Sequence, residues 1–451
     1  MRCTSPTFSA SKRHCIELLV LMCLMAFFVE GWLFKPLEIF GRDSPSATSD
    51  LNLPPLKQSL TDVASSYIGR HLKQSIEDSA LQTDLSAEQL IARFLSDETP
   101  MSVRKVDALR LARLGSVEAK TALLKALASG ASELRAAIAE AIGRSQWSDA
   151  GDILRELLTE HDTVVLRGAI SGLALLGDNA AVESLQMLLL AENTDEMIRT
   201  YIASKLGDVQ TEAALNTLIA ATAVSLTEET LLNVVTSLAK YPFEQTGEIF
   251  KDVFTKNQAN IEFLTEATEA LANSDKKALP FLLDIASRYS DAEVRASAAW
   301  AAGFNAHTGN LAEPLAQLVP QETDDEVRRR LYEALMRQDN IPSQQLLEQV
   351  ITEQDAATKV AAANMLAMSL HQSGADAMVQ QSFNQEIVPD LIATALGGYS
   401  TNLRYRAVFA LVRAGTADAN SALTIISQQA EPRIADLANR SLAKSVNAYK
   451  H

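Results

Sequence analysis

The sequence has little of several residue types on which small or catalytic folds depend. It has three cysteines, Cys3, Cys15 and Cys23, in 451 residues. The long C-terminal part therefore has no disulfide, no thiol nucleophile and no cysteine-based metal site. Aromatic residues make up 6% of the chain, and glycine and proline number only 18 and 13. Because Ala, Leu, Glu and Gln dominate and no alternating β-branched run follows residue 50, we expect helices throughout and no strands.

The chain also lacks an excess of positive charge. Lysine and arginine number 40 against 56 aspartates and glutamates, which gives a formal net charge of −16. The first 50 residues carry five charges of each sign, so the whole excess lies in the remainder of the chain. Such a balance repels nucleic acid, and we expect none as a partner.

Sequence motifs with known catalytic chemistry are missing as well. The six histidines are scattered, and there is no H-x-x-x-H, H-E-x-x-H, G-x-S-x-G or glycine-rich phosphate loop. Carboxylate pairs such as Asp324-Asp325 stand at predicted helix starts, where capping accounts for them. We therefore expect a non-enzymatic protein with no catalytic residue, no metal and no cofactor. A catalytic site assembled from several distant repeats stays open as an alternative.

An apolar segment near the N-terminus is the clearest local signal. Leu18–Val29 (LLVLMCLMAFFV) contains no charge, and basic residues precede it at positions 2, 12 and 13. Three interpretations fit: a transmembrane signal anchor over 16–34 with Trp32 at the far interface, a signal peptide cleaved near Gly31, and a buried core helix. We favour the anchor because apolar residues continue past a poor cleavage site. It predicts a basic cytoplasmic tail, 1–15, and membrane contact through residues 16–34.

The composition changes after this segment. Residues 42–58 (RDSPSATSDLNLPPLKQ) are rich in Ser, Pro and Asp and offer little to bury. We therefore predict a flexible linker over residues 35–58. Residues 59–451 follow as one long helical region.

A pattern repeats along this helical region. In DAEVRASAAWAAGF (291–304), an aliphatic residue precedes Arg295, and apolar residues follow it at three, six and seven positions. With Arg295 as position zero, the pattern recurs at Arg104, Arg135, Arg167, Arg199, Leu232, Leu264, Arg328, Lys359, Arg404 and Ala435. Nine of the ten spacings are 31–33 residues, and the spacing from Lys359 to Arg404 is 45. At about 100° per residue, the apolar positions form one stripe along a helix.

Each unit has the pattern of a helical hairpin. A second amphipathic helix, such as Ala180–Leu190, lies between successive copies. Aspartates stand four residues before position zero, where an N-cap belongs, at Asp195, Asp291, Asp324 and Asp355. Glycines close many of these helices, at Gly115, Gly143, Gly177, Gly207, Gly303 and Gly415. Because one hairpin cannot bury its stripe alone, we predict an all-α, right-handed α-solenoid of about ten to eleven hairpins, preceded by one N-terminal hydrophobic helix.

The pattern D-x-x-V-R, followed by alanines and a closing glycine, resembles the HEAT repeat. Asp291–Gly303 and the related Asp324–Leu335 resemble in particular its short bacterial type, named after phycobilin lyases. The resemblance covers roughly residues 85–445. It implies a solenoid in which the second helix of each pair lines the concave face and Asp and Arg form a ladder between repeats. The family includes scaffolds, adaptors, lyases and glycosylases, so the resemblance does not assign one function.

The resemblance implies that the arginines at position zero are structural. They would pair with the N-cap aspartate and with neighbouring carbonyls, and they are Arg104, Arg135, Arg167, Arg199, Arg295, Arg328 and Arg404. An anion-binding row is the alternative, but Leu232 and Leu264 interrupt it in two adjacent units. The 45-residue spacing predicts an extra helix near 384–396 that projects from the solenoid.

Candidate partner contacts lie on the other side of the same helices. Positions +1 and +5 point away from the apolar stripe, and most hold small or polar residues: Glu140, Ser204, Ser237, Glu269, Glu333 and Asn364. The large exceptions are Leu109, Trp300, Tyr405 and Phe409. Because aromatic residues dominate binding hot spots, we predict these four as partner contacts, with Trp300 foremost. The alternative is that each packs against a neighbouring helix.

These observations favour a protein–protein interaction scaffold or adaptor. We expect a single-pass protein of the bacterial inner membrane, with its N-terminus in the cytoplasm and its solenoid in the periplasm. It would bind a protein or peptide on its concave face. Two alternatives are a lyase-type enzyme related to bilin lyases, and a fully secreted or periplasmic binding protein after signal cleavage.

Overall fold

A computed structural model describes residues 85–145, 147–305, 311–372 and 376–448. The described part is all-α, without a strand, and its helices belong to one compact unit. The predicted tail 1–15, hydrophobic segment 16–34 and linker 35–58 lie outside the described residues. Within those residues, no helix combines the length and the apolar character needed to cross a bilayer.

The helices follow one another with short connections. In chain order they are α1 (Ala87–Leu95), α2 (Met101–Leu114), α3 (Val117–Ser129), α4 (Ser132–Gly143), α5 (Ala150–Glu156), α6 (Thr163–Leu176), α7 (Asn179–Leu190), α8 (Glu196–Val209), α9 (Glu212–Ala221), α10 (Glu228–Leu238), α11 (Phe243–Lys256), α12 (Ile261–Ala270), α13 (Leu279–Arg288), α14 (Ala292–Asn305), α15 (Ala312–Leu318), α16 (Asp325–Leu335), α17 (Ser343–Thr352), α18 (Ala356–Ser369), α19 (Ala377–Ser382), α20 (Val388–Leu396), α21 (Thr401–Ala414), α22 (Ala417–Gln429) and α23 (Pro432–Ala448). Short 3₁₀ turns occupy Leu157–Thr159, Leu271–Asn273, Lys276–Ala278 and Val319–Gln321.

Every predicted position zero lies on a helix. The helices that carry it are the even-numbered ones from α2 to α18, together with α21 and α23; we call them register helices. The helices between them are the intervening helices. Each register helix contacts the next register helix, and several intervening helices contact one another, such as α1 with α3, α7 with α9 and α20 with α22. The two rows of stacked helices form the predicted α-solenoid, which is confirmed.

The apolar stripe forms the core. In α14, Val294, Ala298, Ala301 and Ala302 are fully buried, at positions −1, +3, +6 and +7. Equivalent aliphatic residues are buried in the other described repeats, so one continuous core runs along the stack. Burial of this stripe is the main stabilising term, because each hairpin exposes it until a neighbour covers it.

Aspartates begin several register helices as the sequence predicts. Asp195, Asp324 and Asp355 are N-caps whose carboxylates accept backbone amide hydrogen bonds from the first helical turn. Asp291 accepts the amide of Glu293 at 2.9 Å in the same manner. Each cap satisfies donors that the helix itself leaves without a partner.

The glycines divide into two groups with different roles. Gly115, Gly177 and Gly415 have φ between 60° and 65° and cap their helices in the left-handed conformation, as predicted. Gly143 and Gly303 lie eight residues after position zero and contact the next register helix instead. A Cβ on Gly143 would lie 2.1 Å from the carbonyl oxygen of Gly172, and one on Gly303 would lie 2.7 Å from Cα of Ala334. These glycines allow adjacent register helices to approach backbone to backbone.

The 45-residue spacing does not produce a projecting extra helix. Residues 377–396 are continuously helical, with a π-helical turn, Phe383–Ile387, between α19 and α20. Phe383, Ile387 and Leu391 are buried, and α20 contacts α21 and α22. The predicted segment near 384–396 is thus the intervening helix of its own repeat, lengthened because its apolar residues have a core position to fill.

Candidate protein-binding surface

Most arginines at position zero join two successive repeats. Arg295 Nε and Nη2 donate to both carboxylate oxygens of Glu322 at 2.8 and 3.0 Å. Its Nη1 donates to the carbonyls of Tyr289 and Ser290, at the end of the preceding intervening helix. Burial alone would raise the pKa of Glu322, but the hydrogen bond from Arg295 and the backbone amides of Asp324 and Thr323 hold that pKa below its ordinary value.

The next repeat has the same arrangement with a more deeply buried acid. Arg328 Nε and Nη2 each bind the carboxylate of Glu353 at 3.0 Å, and Nη1 donates to the carbonyl of Glu322 at 3.2 Å. The hydroxyl of Tyr332 also donates to Glu353, at 2.9 Å. Only 1% of the Glu353 side chain is exposed. Gln349 Nε2 donates to it as well, at 3.4 Å, so the buried charge of Glu353 is compensated by three donor residues.

The acid partner differs from the one expected from the resemblance. The N-cap aspartate of the same helix caps backbone amides, whereas the arginine binds a glutamate two residues before the next N-cap. Glu160, Glu322 and Glu353 each stand in an E-x-D sequence, ending at Asp162, Asp324 and Asp355. The E-x-D sequence is the signal that could have identified these three partners. Arg404 pairs at 2.9 Å with Glu431, which directly precedes α23 and stands in no E-x-D sequence.

Three ladder arginines depart from this arrangement. Arg104 and Arg199 bind carbonyls of the preceding intervening helix, those of Phe94 and Leu189, at 2.9 and 3.0 Å. Arg167 is exposed, and its Cζ lies 4.3 Å from the ring centroid of Tyr201. The arginines at position zero therefore connect elements of the stack and do not form a continuous open row.

A different set of arginines lies on another face of the C-terminal register helices. Positions +2, +5 and +9 fall within about 60° of one another on a helix. On α14, α16 and α21 these positions bring aromatic rings and guanidinium groups together. We call this set the arginine–aromatic surface: Trp300, Phe304, Arg330, Arg337, Arg406 and Arg413.

Its aromatic part is a stack of three side chains. The ring centroids of Trp300 and Phe304 are 4.5 Å apart on α14. Arg337, two residues after the end of α16, places its Cζ 4.0 Å from the Phe304 ring centroid. Trp300 and Phe304 are half-buried and Arg337 is exposed. Desolvation by this packing lowers the pKa of Arg337, although the guanidinium stays charged at any physiological pH.

Glu333 organises the central part of the surface. It pairs with Arg329 at 2.7 Å and Arg330 at 3.3 Å on its own helix, and with Arg406, which reaches across α18 from α21. Burial would raise the pKa of Glu333, but these three positive charges outweigh it and lower the pKa. Glu333 therefore stays deprotonated and fully paired, which leaves it unsuited to proton transfer.

Asn364 connects this centre to Arg413. It is buried on α18, and its amide nitrogen donates to the carbonyls of Val360 and Arg406 at 2.8 and 3.1 Å. Its oxygen accepts a hydrogen bond from Arg413 Nη1. Burial and the neighbouring charge of Arg406 both lower the pKa of Arg413. The guanidinium groups of α21 are thus held in place by a fixed amide.

The four predicted partner residues are not gathered at one place. Trp300 belongs to the arginine–aromatic surface, and Tyr405 and Phe409 lie on α21, half-buried. Trp300 and Tyr405 also pack against the core, as does Leu109 on distant α2. The arginines of this surface stand at positions +2 and +9, which the pattern of positions +1 and +5 does not include.

Position +5 is also less exposed than predicted. Ser237 and Asn364 are buried, with 2% and 4% exposure, and Ser237 Oγ donates to the carbonyl of Ala203 on the preceding register helix. The close approach of register helices explains this difference. A position that points away from the stripe points toward the neighbouring helix.

The described residues contain no group of three or more His, Cys, Asp or Glu placed to hold a metal ion. His371 lies beside the surface, with Nε2 2.5 Å from the carbonyl oxygen of Arg413. The arginine–aromatic surface thus presents guanidinium donors beside an aromatic shelf, formed by the rings of Trp300 and Phe304. Such a set can bind carboxylates and cover apolar side chains.

Comparison with known proteins agrees with the repeat structure. Residues 121–200 and 279–367 match the family described as HEAT repeats. Solved structures with a similar fold include Kap121p, at 15% identity and a TM-score of 0.46, with 87% of this chain and 48% of that chain covered. Kap121p bound to the SUMO protease Ulp1p is similar at 14% identity and a TM-score of 0.47, with 87% and 49% covered.

The chain spans about half the length of the solved structures to which it is similar. No curated protein matches its sequence. The family match covers two separate stretches of the solenoid, which include the ladder arginines Arg135, Arg167, Arg199, Arg295 and Arg328. These two stretches of the solenoid are HEAT repeats.

Proposed function

We propose that this chain is a non-enzymatic scaffold that binds a protein or peptide partner on the arginine–aromatic surface. The observation that carries the proposal is the stack of Arg337 on Phe304 beside Trp300. Trp and Arg are the residue types most enriched in interface hot spots, and here they lie on one face with part of each side chain accessible.

The chemistry of the surface favours binding over catalysis. Guanidinium groups hold anions but do not transfer protons near neutral pH, since their pKa lies far above it. Glu333 is held in the ionised form by three arginines. The same groups provide directional hydrogen bonds to carboxylates and apolar area for a side chain of the partner.

The proposal includes the membrane tether. An anchor over residues 16–34 would hold the solenoid outside the cytoplasm, linked through residues 35–58, and the uncharged run Leu18–Val29 supports it. A reporter enzyme active only outside the cytoplasm, fused after His451, tests this topology. Activity is expected, and an inactive reporter alongside an active cytoplasmic one contradicts it.

Replacing Trp300 by Ala tests the binding surface. We expect capture of a partner from solubilised membranes, measured by quantitative mass spectrometry, to fall by a factor of about 30, the loss of one hot spot. Trp147→Ala is the matched control, because Trp147 is half-buried in a different repeat beside Lys120. Equal capture by both variants contradicts the proposal.

Because Trp300 also packs against the core, folding must be measured with capture. Circular dichroism and melting temperature of Trp300→Ala should stay close to those of Trp147→Ala. If Trp300→Ala unfolds while Trp300→Phe is folded and captures normally, the residue is structural and the surface is not a binding site.

A further inference from the structure

The arginine–aromatic surface carries a local charge opposite to that of the chain. Five arginines lie on or beside this face, against three glutamates, within a chain whose net charge is −16. The arginines are Arg329, Arg330, Arg337, Arg406 and Arg413, and the glutamates are Glu269, Glu326 and Glu333. A positive patch on an acidic protein attracts anions selectively, because the rest of the surface repels them.

The internal acids use only part of this positive charge. Glu326 and Glu333 pair with Arg329, Arg330 and Arg406. Within the described residues, Arg337 and Arg413 form no ion pair: the first stacks on Phe304 and the second donates to the neutral amide of Asn364. Desolvation lowers the pKa of both groups. Each guanidinium is therefore partly removed from water without an ion-pair partner. The charge of Glu333 offsets only part of this desolvation for Arg337, and a bound carboxylate would supply the missing partner for both groups.

We propose that the partner presents an acidic peptide segment, with carboxylates bound by Arg337 and Arg413 and an apolar side chain covering Trp300 and Phe304. This inference deepens the proposed function and rests on it. It assigns the chemical class of the partner, whereas the proposed function assigns only the place of binding.

The geometry of the stack limits the spacing of the acids. Arg337 and Arg413 both occupy position +9, on register helices separated by α18. With axes about 8–10 Å apart, two steps span roughly 16–20 Å. An extended peptide advances about 3.3 Å per residue, so acids roughly five or six residues apart reach both arginines.

Other anions fit less well. A nucleic acid or an anionic bilayer extends beyond the patch and meets the negative charge of the remaining chain. A short peptide can place its carboxylates on the arginines and its apolar residue on the shelf, without contacting that remainder. The size of the patch and its aromatic rings thus favour a peptide.

Selection from a random twelve-residue peptide library on the full-length chain tests this chemistry. We expect the recovered pool to be enriched in Asp and Glu, spaced as above, with one aromatic or aliphatic residue between them. A peptide from this pool should bind roughly tenfold more weakly to Arg337→Gln and to Arg413→Gln, as measured by fluorescence anisotropy. Its Asn/Gln analogue should bind wild type weakly as well. Single-stranded DNA and phosphatidylglycerol vesicles should bind the wild-type chain no better than they bind a neutral control surface.

Arg113→Gln is the matched control, since Arg113 is an exposed arginine at position +9 of α2. An unchanged affinity for Arg113→Gln supports the proposal. Three results overturn the proposal. The first is a peptide pool without acidic enrichment, and the second is an acidic pool that Arg337→Gln and Arg413→Gln bind as tightly as wild type. The third is binding of the DNA or the vesicles in preference to the peptides.

The two proposals fail in different ways. A pool that depends on Trp300 but not on the arginines leaves the proposed function intact and removes the acidic partner. A selection without binders, together with capture that Trp300→Ala does not change, removes the proposed function itself. Melting temperatures of all variants exclude unfolding as the cause.

Discussion

Two neighbouring regions of the solenoid stack their repeats by different interactions. On α14 and α16, the arginines at position zero bind glutamates of the next repeat, as Arg295 does with Glu322. From α10 to α13, leucines occupy position zero, and Leu264 is fully buried. The aromatic rings of the intervening helices are concentrated there instead. Phe281 lies 5.6 Å from Phe243 and 5.5 Å from Phe254 between ring centroids.

The difference shows that the apolar stripe, and not the arginine, is what a repeat requires. Both regions keep the stripe buried, and both keep the helical hairpin. The ion pairs add geometric specificity, because a bidentate arginine–carboxylate pair fixes the relative position of two repeats more closely than apolar contact does. The ladder is most complete beside the arginine–aromatic surface. A surface assembled from several helices needs that fixed geometry.

Removing a buried ladder acid should have the largest effect. Glu353→Ala leaves Arg328 without its carboxylate and Tyr332 without an acceptor, so we expect a loss of about 3–5 kcal/mol in the free energy of unfolding. Hydrogen exchange should show the loss in α16 to α18, with α10 to α12 much less affected, since repeats couple mainly to their neighbours.

Glu348→Ala is the matched control, because Glu348 is exposed on α17, the helix that ends directly before Glu353. Its effect should stay within about 0.5 kcal/mol. Similar losses for both variants would show that the buried acid contributes nothing special to the stack.

Placing a ladder arginine in the central region should have a smaller effect. Leu264→Arg removes a buried apolar side chain and adds a positive charge. The ladder glutamate would stand two residues before Asp291, but Tyr289 occupies that position, so the new arginine has no acidic partner. We expect a loss of about 1–3 kcal/mol, since the long side chain can reach toward water. Urea denaturation measures the loss.

The double variant Leu264→Arg, Tyr289→Glu tests the rule itself. If the E-x-D position supplies the partner, the free energy of unfolding of the double variant should exceed the value expected from adding the two single effects by about 1 kcal/mol. Strict additivity contradicts this interpretation of the ladder.

The repeat could be predicted from sequence because it depends on local spacing. All eleven positions zero lie on helices, and even the 45-residue spacing did not disturb the stripe. The roles of Gly143 and Gly303 could not be predicted from spacing alone, because their function is contact with another helix. For the same reason the sequence did not reveal that Arg337 stacks on Phe304. These contacts depend on which helices are neighbours and how closely they approach.

The smallest effect should be a pH dependence of opposite sign in the two regions. The pKa of Glu322 is lowered, so its stabilising pairing is complete at neutral pH and is lost as the pH falls through the folded-state pKa. Burial raises the pKa of Glu269 on α12, where Ser297 is its hydrogen-bonding partner at 3.2 Å. Its ionised form therefore destabilises the fold at neutral pH, and protonation relieves that cost.

Replacing each of these glutamates by glutamine separates the two cases. At pH 7 we expect Glu322→Gln to destabilise by about 1 kcal/mol and Glu269→Gln to stabilise by at most about 0.5 kcal/mol. The difference for Glu269 should shrink toward zero below about pH 4, where this carboxyl group is protonated in the unfolded chain as well. The difference for Glu322 should shrink only at still lower pH, as the pH falls through its lowered folded-state pKa. Urea unfolding at both pH values measures them. Destabilisation by both variants at pH 7 would mean that carboxylates contribute alike in the two regions, and that arginine pairing does not distinguish the ladder from the central repeats.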